Sequence, residues 1–286
     1  MRYTKMHGAG NSFVLIEDPR GEHRGEDLSV LALRLCDKKS GPGADGLIVV
    51  TRAEGADMGM LFYNSDGSAG EMCGNGARCL ARYGVEHGLV RDAEDIRILA
   101  PAGEVRARRI TQELYEVRLN DPSVIDLDRM AEGERCSYVE LGEPGIPHAV
   151  VEVGADAFSD PDALRERGRR LRRSPAFPKG ANVSFACPIG EGRVRAITFE
   201  RGVEDFTLAC GTGCGAIAVS FLLSGRIGGE RLAIEMPGGE LSVSLRRTEN
   251  GARDILLTGP TAVVEEGIRT RGVKKTDQSD ERRMTT

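Results

Sequence analysis

The sequence lacks a hydrophobic run long enough to cross a membrane. Its best apolar stretch, 216–223, has eight residues and contains Ser220, whereas a spanning helix needs about 20. The first residues also lack the basic, then apolar, then small-residue pattern of a secretion signal. We therefore expect neither a membrane segment nor export.

The chain also lacks an excess of positive charge, because 39 Lys and Arg stand against 44 Asp and Glu and give a formal net charge of −5. The arginine-rich stretch 164–173 is therefore interpreted as the solvated face of a helix that packs through Leu164 and Leu171, not as a nucleic-acid site. With 40% hydrophobic and 29% charged residues, the composition is that of a globular protein with one large domain or two ordinary ones.

The seven cysteines are an odd number spread through the chain. This favours free thiols in a reducing cytoplasm over a disulfide framework, and the Cys spacing is poor for zinc. Most of them are predicted to be small buried hydrophobes. These predicted core cysteines are Cys36, Cys79, Cys136, Cys187 and Cys214.

An internal repeat organises the sequence. Cys73-Gly74-Asn75-Gly76 recurs 137 residues later as Cys210-Gly211-Thr212-Gly213. Four ordered blocks at nearly constant spacing indicate two copies of one domain that meet near residues 120–123. The other matching blocks are 8–11 with 145–148, 43–45 with 180–182, and 101–104 with 237–240.

Each copy alternates β-like and helical segments, which predicts an α/β (α+β) fold. Because a helical pattern follows each Cys-Gly-x-Gly, Cys73 and Cys210 are predicted to lie at helix N-termini. The predicted strands are 13–17, 47–51, 96–99, 104–108, 149–153, 182–186, 194–199 and 232–236. The predicted helices are 29–38, 77–86, 162–173 and 214–224.

Two opposed helix N-termini suit a particular chemistry. Such an end binds anions through free N–H groups and favours a thiolate over a thiol. If the copies face each other, a carbon beside a bound carboxylate would have Cys73 on one face and Cys210 on the other, an arrangement suited to inverting an α-carbon. The amides would also stabilise the charge that develops as the proton leaves. The converging amides would be those of Gly74, Asn75, Gly211 and Thr212.

Two glycine-rich strings resemble the dinucleotide-binding fingerprint. In the string 41–46 a predicted helix precedes and a strand follows, the reverse of the required order. The string 211–216 has the correct order, with Glu235 near the end of a later strand, and remains a competing interpretation. Against this interpretation, the first copy has the same Cys-Gly-x-Gly without the rest of the fingerprint, so the duplicated feature is the cysteine with its neighbouring amides.

The copies differ in polar residues at matching positions: Asn11 matches His148, Asp45 matches Asn182, Tyr63 matches Glu200, and Asn64 matches Arg201. Arg201 could pair with a second carboxylate through its planar fork, and Asn64 and Asn182 could bond the same end of a ligand. The alternatives are a surface ion pair between Glu200 and Arg201 and a core histidine with satisfied hydrogen bonds at position 148.

Segments 5–13, 64–79 and 200–213 closely resemble the diaminopimelate epimerase family, and the resemblance covers about residues 1–268. It implies two domains related by an internal pseudo-two-fold, each a mostly antiparallel sheet or barrel around a central helix, with the active site between them. The implied division is residues 1–119 with a returning strand at about 261–270, residues 120–260, and a flexible tail at 271–286.

The resemblance further implies cofactor-independent and metal-free interconversion of LL- and meso-2,6-diaminopimelate, in lysine and peptidoglycan precursor synthesis, by a protein that is commonly a homodimer. Cys73 and Cys210 would be the acid/base thiols, assisted by His148 and Glu200. The implied substrate-binding residues are Asn11, Asn64, Gly74, Asn75, Asn182, Arg201, Gly211 and Thr212.

Ile146 stands where many family members have an asparagine that binds the distal end of the substrate. A racemase of another free amino acid, such as histidine, is therefore the nearest alternative. A nucleotide-dependent oxidoreductase and a non-catalytic binding protein of the same fold are more distant ones.

Overall fold

The computed structural model describes residues 1–22, 25–70 and 72–268, which form two α+β halves of matching element order. The first half contains β1 (Arg2–Gly8), β2 (Asn11–Glu17), α1 (Gly25–Cys36), β3 (Gly46–Thr51), β4 (Met58–Asn64), β5 (Ala69–Gly70), α2 (Gly74–Glu86), β6 (Ile96–Ala100), β7 (Gly103–Arg109) and β8 (Leu114–Arg118).

The second half repeats this order after one additional strand at its start, and it adds a 3-10 helix, Ala155–Ser159, before its first α-helix. Its elements are β9 (Pro122–Ala131), β10 (Glu134–Leu141), β11 (Ile146–Glu152), α3 (Pro161–Arg172), β12 (Asn182–Gly190), β13 (Arg193–Phe199), β14 (Phe206–Thr207), α4 (Gly211–Leu223), β15 (Arg231–Met236), β16 (Gly239–Thr248) and β17 (Gly251–Pro260). The last described strand is β18 (Ala262–Ile268).

The halves join through equivalent strands. β8 and β17 pair antiparallel, with Val117 opposite Leu257. β18 pairs antiparallel with β1, just as β9 pairs with β10. The last described strand therefore lies beside the first, and the connections make one 18-stranded sheet.

A buried helix occupies the centre of each half. α4 is apolar around its circumference and is buried from Gly213 to Leu222, because β10, β11, β16 and β17 surround it. α2 is buried from Asn75 to Gly84 between the corresponding strands of the first half. Cys79 and Cys214 point into this shared core and are fully buried, as predicted. The outer helices α1 and α3 cover separate, smaller cores.

The predicted α+β class with two pseudo-symmetric halves is confirmed, and all eight predicted strands and four predicted helices are present within a few residues of their predicted bounds. The string 41–46 lies between α1 and β3, as expected for a false fingerprint. The predicted tail, 271–286, lies outside the described residues. No helix within residues 1–22, 25–70 and 72–268 is long and apolar enough to cross a membrane.

Candidate active site

Cys73 and Cys210 occupy the same position in the two halves, immediately before the first turn of α2 and α4. Both have extended backbones, with φ −137° and ψ 115° at Cys73 and φ −116° and ψ 108° at Cys210. Each Sγ accepts a hydrogen bond from the N–H three residues later, at 3.5 Å from Gly76 and 3.3 Å from Gly213. The predicted placement of both cysteines at helix N-termini is confirmed.

The two helix starts lie next to each other at the glycines that follow the cysteines. A Cβ on Gly211 would lie 3.9 Å from the Cα of Gly74. Asn75 closes the contact, because its Nδ2 donates to the Ala209 carbonyl at 3.2 Å and to Asn11 Oδ1 at 3.3 Å. The positive ends of both helix dipoles therefore converge at one place between the halves.

The surroundings of Cys73 partly favour its ionised form. The side chain is partly buried, and burial raises the pKa of the thiol. The backbone N–H groups of Gly76 and Asn75 and the positive charge of Arg78 oppose that rise in pKa. A more distant Glu200 carboxylate adds slightly to it.

The surroundings of Cys210 favour the thiol. Its side chain is 5% exposed, and burial together with the Glu200 carboxylate holds its pKa well above the usual value. The Gly213 N–H and the Thr212 hydroxyl only partly oppose these effects. The Glu200 side chain accepts a hydrogen bond from Thr207 Oγ1 at 2.5 Å, and burial raises its own pKa.

A second group of predicted residues lies around Arg201. Its N–H donates to Asn182 Oδ1 at 2.8 Å, and its Nη1 donates to the Lys179 carbonyl at 2.9 Å. Asn182 is buried and lies beside His148, since β11 and β12 run parallel with these two residues in register.

His148 is fully buried, and neither ring nitrogen has a hydrogen-bond partner among the described residues. Burial and the nearby Arg201 charge lower the pKa of its imidazole to about 3, so the ring is neutral at working pH. The ring is thus a buried histidine, as the alternative interpretation expects, but the described residues supply no group that satisfies its hydrogen bonds. The proposed surface ion pair is wrong, because Glu200 and Arg201 bond to different partners.

Asn64 stands apart from both groups by its contacts. It is exposed at the end of β4, and its amide donates to Ser68 Oγ at 2.9 Å, within its own turn. The position matches that of Arg201 at the end of β13. The group at the helix starts consists of Cys73, Gly74, Asn75, Asn11, Glu200, Cys210, Gly211 and Thr212.

The sequence reasoning missed three residues that hold the site. Thr207 and Lys179 bond to Glu200 and Arg201, and only the folded chain brings them there. Arg78, fully buried inside α2, had a visible signal: the repeat aligns this arginine with a glycine, Gly215.

The competing dinucleotide fingerprint finds little support. The Glu235 carboxylate, which would have to bind the ribose of a dinucleotide, instead accepts a hydrogen bond from Arg195 Nε at 3.0 Å on a surface strand pair.

Within the described part of the chain, no three His, Cys, Asp or Glu side chains are grouped as metal ligands.

The family model and the curated relatives agree on one family. The family model described as diaminopimelate epimerase matches residues 3–122 and 143–264. A diaminopimelate epimerase of Desulforudis audaxviator is 35% identical over 93% of this chain and 98% of its own. One of Caldanaerobacter subterraneus subsp. tengcongensis is 37% identical over 79% of this chain and 85% of its own.

A solved structure supports the fold independently. The Bacillus anthracis phenazine biosynthesis protein of the PhzF family superposes with a TM-score of 0.73 at 15% identity, over 93% of this chain and 98% of its own. That likeness concerns the fold alone. The family model and the curated relatives, which cover most of its length, place this chain in the diaminopimelate epimerase family.

Proposed function

We propose that this protein is an isomerase that converts LL-2,6-diaminopimelate into meso-2,6-diaminopimelate without a cofactor, as a step of lysine and peptidoglycan precursor synthesis. The names of the curated relatives support the reaction. The observation that carries the two-thiol mechanism is the pairing of Cys73 and Cys210, which cap equivalent helices whose first glycines meet.

In this proposal the reacting carboxylate binds to the N–H groups at the two helix starts. The α-carbon then lies between the two sulfurs. The thiolate of one cysteine takes the α-proton, the electron pair stays on the substrate as a carbanion, and the thiol of the other cysteine donates its proton to the opposite face. The two cysteines exchange protonation states, and no external acid or base is consumed. The binding amides are those of Gly74, Asn75, Gly211 and Thr212.

Two further groups assist. The charge of the Glu200 carboxylate acts on the Cys210 thiol, and in this proposal the carboxylate accepts a hydrogen bond from that thiol and keeps its proton available. His148 is neutral, and its two ring nitrogens have no partner among the described residues, so it can bond to a substrate group or to a thiol without adding charge. Both roles are those that the family resemblance implies.

The distal amino-acid end of the substrate is assigned to Arg201, Asn182, Asn64 and Asn11. Arg201 uses one Nη to bond to the Lys179 carbonyl, which fixes the plane of its guanidinium. The remaining N–H groups can then bond to a carboxylate. Asn182 holds the Arg201 backbone at 2.8 Å, so it also orients the arginine.

A racemase of another free amino acid is the second candidate, because of Ile146. This residue is 37% exposed and lies two positions before His148 on β11, so both side chains point to the same face of the strand. An apolar side chain there removes one polar contact that a distal amino-acid group would use. A substrate with an apolar or aromatic distal group would fit this position better.

Proton NMR of LL-diaminopimelate with the purified protein in deuterated buffer tests the proposal. We expect the α-proton signal to disappear and the meso isomer to accumulate without any added cofactor. If the α-proton persists while the protein is folded and its thiols are reduced, diaminopimelate is not the substrate. The same experiment with histidine and other free amino acids then identifies the alternative.

We also propose that the protein acts as a homodimer in the cytoplasm. All seven cysteines are free, which suits a reducing compartment. The strand β18 exposes Val264 and Ile268, at 54% and 69%. Light scattering during size exclusion tests the dimer, and a monomer at micromolar concentration would exclude it.

A further inference from the structure

One buried cation in the centre of the first half has no carboxylate partner. The Arg78 side chain is fully buried in α2, and none of the ion pairs among the described residues includes it. Its Nη2 donates to Asn75 Oδ1 at 2.8 Å, its Nη1 lies 3.5 Å from the Gly74 carbonyl, and its Nε has no acceptor. Such a charge destabilises a fold unless a nearby anion compensates for it.

The groups nearest to this guanidinium that can become anions are thiols. Arg78 interacts electrostatically with Cys73, Cys79 and Cys214. The last two are fully buried, and burial raises the pKa of each to about 12, so they stay protonated. Cys73 is only partly buried and receives backbone N–H bonds at the helix start. Burial raises its pKa as well, but the helix-start N–H groups and the Arg78 charge oppose that rise.

The second half has no equivalent cation and no room for one. The repeat places Gly215 opposite Arg78, and a Cβ there would lie 2.9 Å from Leu119 Cδ1 and 3.0 Å from Leu141 Cδ1. Cys210 instead has the Glu200 carboxylate beside it. The two thiols thus have surroundings of opposite charge, although their helix starts are nearly identical.

Arg78 also acts on the geometry of the site through Asn75. By donating to Asn75 Oδ1, it orients this amide so that Nδ2 faces the other half. Nδ2 then bonds to the carbonyl of Ala209, the residue before Cys210. One guanidinium therefore contributes both to the charge at one thiol and to the distance between the two helix starts.

We propose that Arg78 is a positioning residue that makes Cys73 the more acidic of the two thiols and holds the Asn75 bridge to the second half, so that Cys73 ionises before Cys210. This inference rests on the proposed function, because it gives the first proton abstraction to Cys73. The resting enzyme accordingly accepts first the stereoisomer whose α-hydrogen faces Cys73.

The test measures thiol ionisation directly. Iodoacetamide alkylation of the folded, substrate-free protein is followed from pH 5 to pH 10, with Cys73 and Cys210 peptides quantified by mass spectrometry. In the wild-type protein we expect Cys73 to react with a midpoint at lower pH than Cys210. If Cys210 in the wild-type protein instead reacts with a midpoint at lower pH than Cys73, this result alone overturns the proposal.

Two substitutions of Arg78 separate the effect of its charge from the effect of its hydrogen bond to Asn75. In Arg78→Met we expect the Cys73 midpoint to rise by at least one pH unit and kcat to fall at least tenfold. In Arg78→Lys the Cys73 midpoint should return close to its wild-type pH, because the positive charge is kept. The kcat should stay low, because an ammonium cannot reproduce the planar hydrogen bond of the guanidinium to Asn75. The matched control is Arg82→Met, one turn later on the same helix, where the arginine bonds to Glu86 and the Thr261 carbonyl. It should leave the Cys73 midpoint unchanged.

An unchanged Cys73 midpoint in folded Arg78→Met would overturn the role of Arg78. If Arg78→Met does not fold, the proposal is tested by two other results. These are whether Cys73 reacts at lower pH than Cys210 in the wild-type protein, and whether Arg78→Lys keeps the Cys73 midpoint near its wild-type pH. Alkylation needs no turnover of diaminopimelate. A shifted Cys73 midpoint in Arg78→Met, together with no epimerisation of diaminopimelate by the wild-type protein, would refute the proposed function and leave the role of Arg78 standing.

Discussion

A Cβ placed on Gly238 would lie 2.2 Å from the carbonyl oxygen of Ala9, so the two halves touch backbone to backbone at this point. Gly238 precedes β16 in the second half. Ala9 and Gly10, with φ of 51° and 88°, form the tight turn between β1 and β2 in the first half. Asn11 follows directly, so the contact sets the position of a predicted substrate-binding residue.

We predict that Gly238→Ala impairs catalysis through this contact. The methyl group has no space, because the Leu208 carbonyl oxygen is also within 2.9 Å, and neither backbone can move independently of the other. The KM should rise severalfold and the free energy of unfolding should fall by about 1–3 kcal/mol. Gly228→Ala, whose Cβ would have no neighbour within 4 Å, is the control for steady-state kinetics and urea unfolding. Wild-type KM in Gly238→Ala would mean that the contact does not position Asn11.

The two capping cysteines should be separately indispensable. Cys73→Ala or Cys210→Ala removes one of the two proton-transfer groups, so kcat should fall by at least about 10³-fold in each variant. Cys79→Ala is the matched control, since this thiol lies on the same helix as Cys73 but points into the core. It should lose stability and keep most of its activity. Appreciable epimerisation by either capping variant would exclude the two-thiol mechanism.

Glu200→Gln should make Cys210 more acidic. The Glu200 carboxylate, after burial, is the second cause of the raised pKa of this thiol, and a neutral amide removes that charge. We expect Cys210 to be alkylated at lower pH than in the wild-type protein. The kcat should fall about 10- to 100-fold, because the thiol proton is no longer directed by a carboxylate. Glu235→Gln, in an exposed ion pair with Arg195, should change neither quantity.

The repeat explains why so much of this site could be predicted from the sequence. A duplicated Cys-Gly-x-Gly before two helical patterns determines that two helix N-termini carry cysteines, and a pseudo-two-fold brings equivalent points together. The strands β8 and β17 illustrate what was missed. Their residues alternate poorly in burial, and their pairing joins positions far apart in the chain, which local periodicity does not encode.

Contacts that break the symmetry were also beyond the sequence. Thr207 bonds to Glu200 because the short strand β14 folds back on β13. The unpartnered state of His148 depends on the packing around both ring nitrogens. The polar differences between the copies identified which residues to examine, whereas only the three-dimensional structure gives their partners.

Arg201→Lys should affect binding more than chemistry. Lysine keeps the positive charge but loses the fork that bonds to a carboxylate and to the Lys179 carbonyl at the same time. We expect the KM for diaminopimelate to rise about 10- to 100-fold with a smaller change in kcat. Arg195→Lys, at an exposed ion pair outside the site, is the control. Equal losses in kcat and kcat/KM would instead place Arg201 in the chemical step.

The buried, neutral His148 should make stability depend on pH. Burial and the Arg201 charge lower the pKa of its imidazole from 6.5 to about 3. Between these values the unfolded chain binds a proton that the folded protein does not, so this residue's contribution to stability is lost as pH falls from about 6.5 towards 3. His148→Gln removes the titration, and urea unfolding at pH 8, 6 and 5 measures it. The wild-type protein should lose roughly 1 kcal/mol more per pH unit than the variant in the lower part of this range. Equal pH dependence in the two proteins would mean that His148 is protonated in the folded state or hydrogen-bonded to water.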